Sequence, residues 1–478
     1  MNLGLLTGIE TEYGLFVEGR TPTDQVEDAA EFVRSHLGPS FVGWNYDHES
    51  PRNDLRGFKL ERLSVDPEDW KFESGSRVRQ SDAAVRSDRV MHNGGRYYND
   101  HGHPEYATPE CLDTADLVCH DLAGHATLRH CATQFTERTG RRCKVYKNNT
   151  DFHGASYGTH ESYLVPRAVG FEALYAAVMP MLVARTILCG AGKACAESGE
   201  PCDFQLSQRA DFFMESANAE TLYRRPIFNT RDEPHADPRK WMRLHVISGD
   251  ANMNPNATAR KVSLMHIALR LAEAGHAPRW PLADPVRAIR QISRDTTRKF
   301  ETPEGVSAYA ILDSYLEAAV QHLDLCSRGR EALDEIARVM NWVRSLDDQA
   351  IGAVDWVAKE YLLRAFSGDL DGRAVDLAYC DLDRDEGLYY GLAAAGMVPD
   401  LDDLVELTEA PPTRAAWRAL ALERWPEAVR AVTWSSLTLA VGSGEIEVAL
   451  PPDIAAPPNP ESILSVEDFI TELERCNA

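Results

Sequence analysis

A mixed fold of strands and helices is predicted by three features of this 478-residue sequence. Apolar residues recur at even spacing over residues 3–17 (Leu3, Leu5, Ile9, Tyr13, Leu15), the period of a half-buried strand. Strand-like stretches return at 93–111 and at 143–166, the second carrying the turn cluster Asn148-Asn-Thr-Asp151. Between and after them lie helical stretches with a period near four, the first at Asp24–Leu37 with Thr23 or Asp24 as its cap.

The elements follow in order. Residues 44–89 are charged and punctuated by Pro51, Gly57, Pro67 and Gly75, with no sustained period. An aperiodic stretch of this length inside a compact domain is either functional or disordered. Helices are expected at His120–Glu137, 171–188, Thr258–Ala274 and Gly305–Asp324, and through Arg328–Ala365. Strands are expected at Asp203–Gln208 and Arg243–Ser248. After Pro399 come a helix at Thr413–Thr433, a strand at Ser435–Val441 and a proline-rich turn at 451–460. This divides the chain into a catalytic domain over 1–400, with the 44–89 stretch inserted, and a small C-terminal domain over 401–478.

Composition narrows the class. The 44% hydrophobic and 26% charged fractions are those of an ordinary globular protein. The longest apolar run, Ala173 to Ala184, is broken by Pro180 and too short to span a bilayer. No leader is visible in the first residues, so a cytoplasmic location is expected. Ten scattered cysteines without a Cys-x-x-Cys pair read as reduced thiols. The net charge of −24 argues against general nucleic-acid binding.

Side chains two apart on a strand share a face, so Glu10 and Glu12 project together, as do Tyr98 and Asp100. Two such strands form an oxygen-rich cradle for a hard cation such as Mg2+, with Asp100 as an acidic neighbour. Gly190-Ala-Gly-Lys193 lacks the Ser or Thr and the upstream glycine of a phosphate loop and reads as a helix C-terminus. His101 and His103 read as a polar loop rather than metal ligands, whereas Glu105 keeps a functional reading. Polar blocks at 148–151, 156–162, 207–211, 229–237 and 243–252 are the material of an ATP–metal site, with arginines suited to phosphate.

Several of these blocks carry a resemblance. Gly8-Ile-Glu-Thr-Glu-Tyr-Gly14, Tyr98-Asn-Asp-His-Gly-His-Pro-Glu-Tyr106, Lys147-Asn-Asn-Thr-Asp151, His160-Glu-Ser-Tyr163, Ser207-Gln-Arg-Ala-Asp211, Pro226–Asp237 and Arg243–Asn252 resemble the Pup ligase and Pup deamidase/depupylase family of glutamine-synthetase-like carboxylate–amine ligases. The resemblance implies an α+β fold: a twisted, mostly antiparallel sheet forming a cradle, helices behind it and a small C-terminal domain. It implies ATP and Mg2+ held by Glu10, Glu12, Tyr98, Glu105, His160 and His245, with Arg209, Arg231 and Arg418 on the phosphates and Asp100 as the essential aspartate. It implies Pup, a small ubiquitin-like protein, and pupylated proteins as partners; charge and hydropathy point to neither nucleic acid nor membrane, and the oligomeric state is left open with a monomer favoured. The long 44–89 stretch, Asp211-Phe-Phe213 and Gly249-Asp-Ala-Asn252 resemble the depupylase branch, which hydrolyses the Pup–lysine isopeptide bond and deamidates the C-terminal Gln of Pup. Gly8-Ile-Glu-Thr-Glu resembles the ligase, which makes that bond; a Pup-binding regulator is the third reading. Asn99, where the family has an apolar residue, and Cys380, where it often has His, depart from the pattern.

Overall fold

The structure is a computed structural model that describes residues 5–46, 49–61, 86–152, 154–197, 201–220, 224–366, 371–401 and 409–477. In chain order its strands are β1 (Thr7–Glu12), β2 (Gly14–Val17), β3 (Ser40–Phe41), β4 (Arg89–Met91), β5 (Arg96–Asp100), β6 (His103–Ala107), β7 (Cys143–Tyr146), β8 (Thr159–Pro166), β9 (Lys193–Ala194), β10 (Phe204–Gln205), β11 (Glu215–Asn218), β12 (Pro226–Asn229), β13 (Trp241–Gly249), β14 (Val429–Val432), β15 (Ser436–Val441) and β16 (Gly444–Ala449). Among the described residues nine of them form one sheet in the order β11-β12-β13-β8-β1-β6-β5-β4-β3. Only the β11–β12 pair runs parallel. The expected α+β class and mostly antiparallel sheet are what the chain forms.

Strand parity divides this sheet into two faces. Ile9 of β1, Tyr163 and Val165 of β8, and Leu244 and Val246 of β13 enter one large apolar core. The helices Phe171–Ala184, Pro255–Glu273 and Ala308–His322 cover that face. Tyr97 and Tyr106 turn the same way into a second core with the helix Thr114–Thr139. That helix starts on Asp113, whose side chain accepts from the Ala115 amide, and ends at Gly140 in the left-handed region. The alternate positions of the same strands include Glu10, Glu12, Tyr98, Glu105, His160, Arg243 and His245, none of which belongs to either core.

Some boundaries differ from expectation for visible reasons. The 3–17 stretch is not one strand: after Glu12 the chain turns at fully buried Tyr13, and β2 leaves to pair with β7. The expected 413–433 helix stops at Arg424, because Trp425 precedes Pro426 and the residue before a proline is driven out of helical geometry. The chain continues as β14, which joins β15 and β16. This small sheet and the helix Val466–Asn477 share a third core with Val90, and Phe41 and Trp44 pack on it. Gly190 caps the short helix Thr186–Cys189, and Lys193 is buried against Glu197 and Asp211, so that motif holds structure together. Within 44–89, Leu55 joins the main core and Asp54 is buried on Thr230 and Arg56. The first part of that stretch is therefore packed, against expectation.

One buried ion pair lies on the core side of β8. Arg185 donates to Glu161 Oε2 at 2.8 Å, and the Tyr163 hydroxyl donates to the same oxygen at 2.6 Å. Burial alone would raise the Glu161 pKa, but the Arg185 charge outweighs it and holds the carboxyl below its ordinary value. A depressed carboxyl stabilises the fold above its unfolded pKa and loses that contribution as pH falls through the folded one. Glu161→Gln is expected to cost about 3–5 kcal/mol in urea unfolding at pH 7, since Arg185 is left as a buried unpaired charge. The difference from wild type should shrink below pH 4.

Candidate active site

The polar face of the sheet is a cavity of about 380 Å3. Antiparallel register builds its floor. Glu12 of β1 stands opposite Glu105 of β6, and Glu105 stands opposite Tyr98 of β5. On the other side of β1, Glu10 is opposite His160 of β8. His245 of β13 is next across, its ring 5.2 Å from that of His160.

Two groups of potential metal ligands result, Glu10 with His160 and His245, and Glu12 with Asp100 and Glu105; within each, the ligand atoms lie within 4.8 Å of one another. His160 Nδ1 is 3.6 Å from Glu10 Oε2, and its Nε2 is 3.8 Å from Glu12 Oε1, so this imidazole bridges the groups. Tyr98 donates its hydroxyl to Glu105 Oε1 at 2.7 Å. The structure thus brings together the six residues expected to hold the metal, Glu10, Glu12, Tyr98, Glu105, His160 and His245, with Asp100, the expected essential aspartate.

Charge crowding sets their protonation. Burial, then the nearby Asp100 and Glu12 carboxylates, push the Glu105 pKa well above the ordinary carboxylate range. Burial acts on Asp100 in the same direction, but the adjacent His101 and the Arg86 charge outweigh it and hold Asp100 well below the ordinary range. Burial also disfavours charge on His245, helped by Arg243, so its imidazole is neutral and ligand-competent. Its buried Nε2 has no hydrogen-bond partner among the described residues. Glu10 beside the orphaned His245 nitrogen in one group, and Glu12 beside Glu105 in the other, are donors that divalent cations satisfy.

The arginines divide. Arg209 lines the cavity, bonded to the Tyr157 carbonyl while its buried Nε lacks a partner among the described residues. Arg231 also lines it, donating from Nε to the Ala219 carbonyl at 2.9 Å. Arg418 does not line it. That side chain is fully buried and bonded to both Glu110 oxygens and to the Gly94 and Trp434 carbonyls. Every donor direction it has is engaged, so the expected phosphate contact gives way to a structural one. Arg418 instead lies 5.2 Å from the ring of Trp434, which lines the cavity.

His103 stacks on Tyr157 with centroids 4.3 Å apart and hydrogen-bonds Gln25, and His101 bonds Asp100. Asn99, the polar departure, accepts from the Gly102 amide at 3.1 Å and so closes the hairpin turn. The polar blocks also divide. Asp250 accepts from Ser207 and from the Ala191 and Gln208 amides, and Asp211 pairs with Arg294, all away from the cavity. Arg243 and His235 of the polar blocks line it too, as do residues given no expectation of their own, among them Arg86, Arg96, Arg225 and Trp434. Arg243 and Arg96 were legible by parity, two residues before His245 and Tyr98. Arg86 and Trp434 have no local signal.

The chain belongs to the family described as Pup-ligase protein, which it matches over residues 5–438. It is 35% identical over 462 residues to a protein of Acidothermus cellulolyticus named depupylase, covering 90% of each chain. It is 34% identical to the Pup deamidase/depupylase of Mycolicibacterium smegmatis, covering 93% of each. A Pup–protein ligase of Acidimicrobium ferrooxidans is 40% identical over 384 residues, 74% of this chain and 84% of that protein. Among solved structures it is similar to the ligase PafA in its complex with Pup, with a TM-score of 0.75 and 28% identity, covering 99% of this chain and 93% of that one. PafA in complex with ADP gives a TM-score of 0.69 and 29% identity over 88% of this chain and 96% of that one.

Replacing either member of the buried donor set, Glu12→Gln or His245→Ala, is expected to weaken Mn2+ binding by about tenfold or more in a titration followed by EPR. The unfolding midpoint should change little, since both side chains face the cavity rather than a core.

Proposed function

We propose that this cavity binds ATP and Mg2+ and hydrolyses the isopeptide bond between Pup and substrate lysines, with deamidation of the C-terminal Gln of Pup as the same reaction with ammonia as the leaving group. The observation that carries the reading is Asp100: an ionised carboxylate at the end of β5, lining the cavity beside Glu12 and Glu105. When bound, Mg2+ would supply positive charge to the nucleotide phosphates from the Glu10, Glu12, Tyr98, Glu105, His160 and His245 side. Arg209 and Arg231 add donors suited to phosphate oxygens.

Asp100 acts at the isopeptide carbonyl. It either adds one carboxylate oxygen to the carbonyl carbon, giving an anhydride that water then opens, or takes the proton of the water that attacks. In both routes the C–N bond breaks, the lysine amine leaves with a proton, and one water is consumed. The cationic walls, Arg86 and Arg96 among them, stabilise negative charge at the reacting oxygen.

The hydrolytic direction is supported by relatives named for depupylation, which align over nearly the whole chain, and by Glu49, Pro51 and Arg86, which bring both ends of the inserted stretch to the cavity wall. The ligase direction is the second reading, favoured by the higher local identity to a Pup–protein ligase and by Gly8-Ile-Glu-Thr-Glu. There the lysine amine would attack a phosphorylated Pup glutamate and Asp100 would take its proton.

Incubation with a pupylated protein, ATP and Mg2+ is expected to release free Pup; conjugate formation with ADP release from Pup-Glu, and no release from conjugates, would replace the first reading by the second. Asp100→Asn is expected to lower turnover by more than about 100-fold while ATP still binds, as judged by fluorescence of a labelled nucleotide. Joining residue 61 to residue 86 through a short glycine linker should change turnover more than unfolding temperature, because the packed part of the insertion, Asp54 and Leu55, is kept.

A further inference from the structure

Asp100 lies among groups that hold cations, and nothing in the β5 strand itself keeps it from becoming one more ligand. The contact that separates it is made by the next residue. His101 Nδ1 is 2.8 Å from Asp100 Oδ2. An ionised carboxylate only accepts, so Nδ1 carries the hydrogen and donates it. Asp100 pairs with His103 across the end of the hairpin, so His101 and Gly102 form its two-residue turn. Both have positive φ, +46° and +94°. Such a turn favours Asn-Gly, and a histidine at its first position is a costlier choice that brings a side-chain donor back onto the preceding carboxylate. His101 is partly exposed on the cavity wall, so core packing does not account for it.

We propose that His101 is a positioning residue: by occupying Oδ2 it fixes the Asp100 carboxylate, presents Oδ1 to the substrate carbonyl, and keeps Oδ2 from the cation bound by Glu12 and Glu105. This rests on the reading of Asp100 given above and deepens it. One Asp100 oxygen already lies within 4.8 Å of ligand atoms of Glu12 and Glu105, so without the imidazole the other is open as well, and a divalent cation there would take the carboxylate as a further oxygen ligand. A carboxylate so captured has lost its reacting oxygen. His101 thereby separates binding from chemistry in a cluster where three acids are close enough to serve either purpose.

Two variants compatible with the turn test this. His101→Gly suits positive φ and removes the donor; His101→Asn also suits it and places an amide nitrogen where Nδ1 stood. His101→Gly is expected to lower kcat by about tenfold or more with KM for ATP and for the Pup conjugate unchanged, and to leave the melting temperature within a few degrees of wild type. His101→Asn should recover most of the lost kcat. In a Mn2+ titration of the nucleotide-free protein followed by EPR, His101→Gly should bind about tenfold more tightly than wild type, and His101→Asn as wild type does. A kcat for His101→Gly within twofold of wild type, a failure of Asn to restore turnover, or unchanged Mn2+ affinity would each overturn the proposal. Wild-type turnover reads the proposed function separately: if the protein joins Pup to lysine instead of releasing it, the same variants are compared in that direction, and the Mn2+ titration needs no turnover at all.

Discussion

The register of β1 between β6 and β8 is the constraint on which the site depends. Parity along each strand sends Ile9, Tyr163 and Tyr106 into apolar cores and Glu10, Glu12, His160 and Glu105 to the opposite face. A one-residue slip of β1 would bury both carboxylates in hydrocarbon and expose Ile9, so core packing and site assembly enforce the same alignment. The helices behind the sheet thus fix side chains they never touch. The cost is like charge at close range, and it is met locally: Tyr98 donates to Glu105, the Gly158 amide donates to Glu12 at 2.8 Å, and His160 sits between Glu10 and Glu12.

Much of this was readable from spacing. The pairs Glu10/Glu12 and Tyr98/Asp100 announce a common face, and the same rule extends to Arg96 and to Arg243 with His245. Spacing says nothing about which strands become neighbours, which is why the order of the sheet and the meeting of the two ligand groups came only with the structure. Residue type alone also misled. Arg418 has the chemistry of a phosphate ligand, yet the buried Glu110 carboxylate takes it up completely. The polar blocks looked alike in sequence, but Asp250 and Asp211 are taken up by Ser207, Ala191, Gln208 and Arg294 away from the cavity. An arginine or aspartate is a site residue only where no buried partner has a prior claim on it.

Residues 44–61 show the opposite effect. Local composition there suggested chain without a core, yet Leu55 packs in the main core and Trp44 lies against Trp434, with centroids 4.9 Å apart. Arg96 connects these contacts to the site. Its guanidinium lies 3.8 Å from the ring of Tyr98 on one side and 4.5 Å from that of Trp44 on another, and it is paired with Asp88. A single cation therefore joins both flanks of the insertion to a residue of the metal cradle. Cation–π contacts gain strength when desolvated, as this one is, so the flanks are held where the wall of the cavity needs them.

Trp434 has one more consequence. It lines the same cavity as Glu10, and Arg418, whose carbonyl partner it is, reaches back to Gly94 and Glu110. The wall therefore closes with a residue translated more than four hundred codons after Glu10 and Glu12. The strands that carry the carboxylates are all synthesised before Trp434. Only a nearly complete chain has a finished site, so a translation product that ends before Trp434 lacks part of the wall.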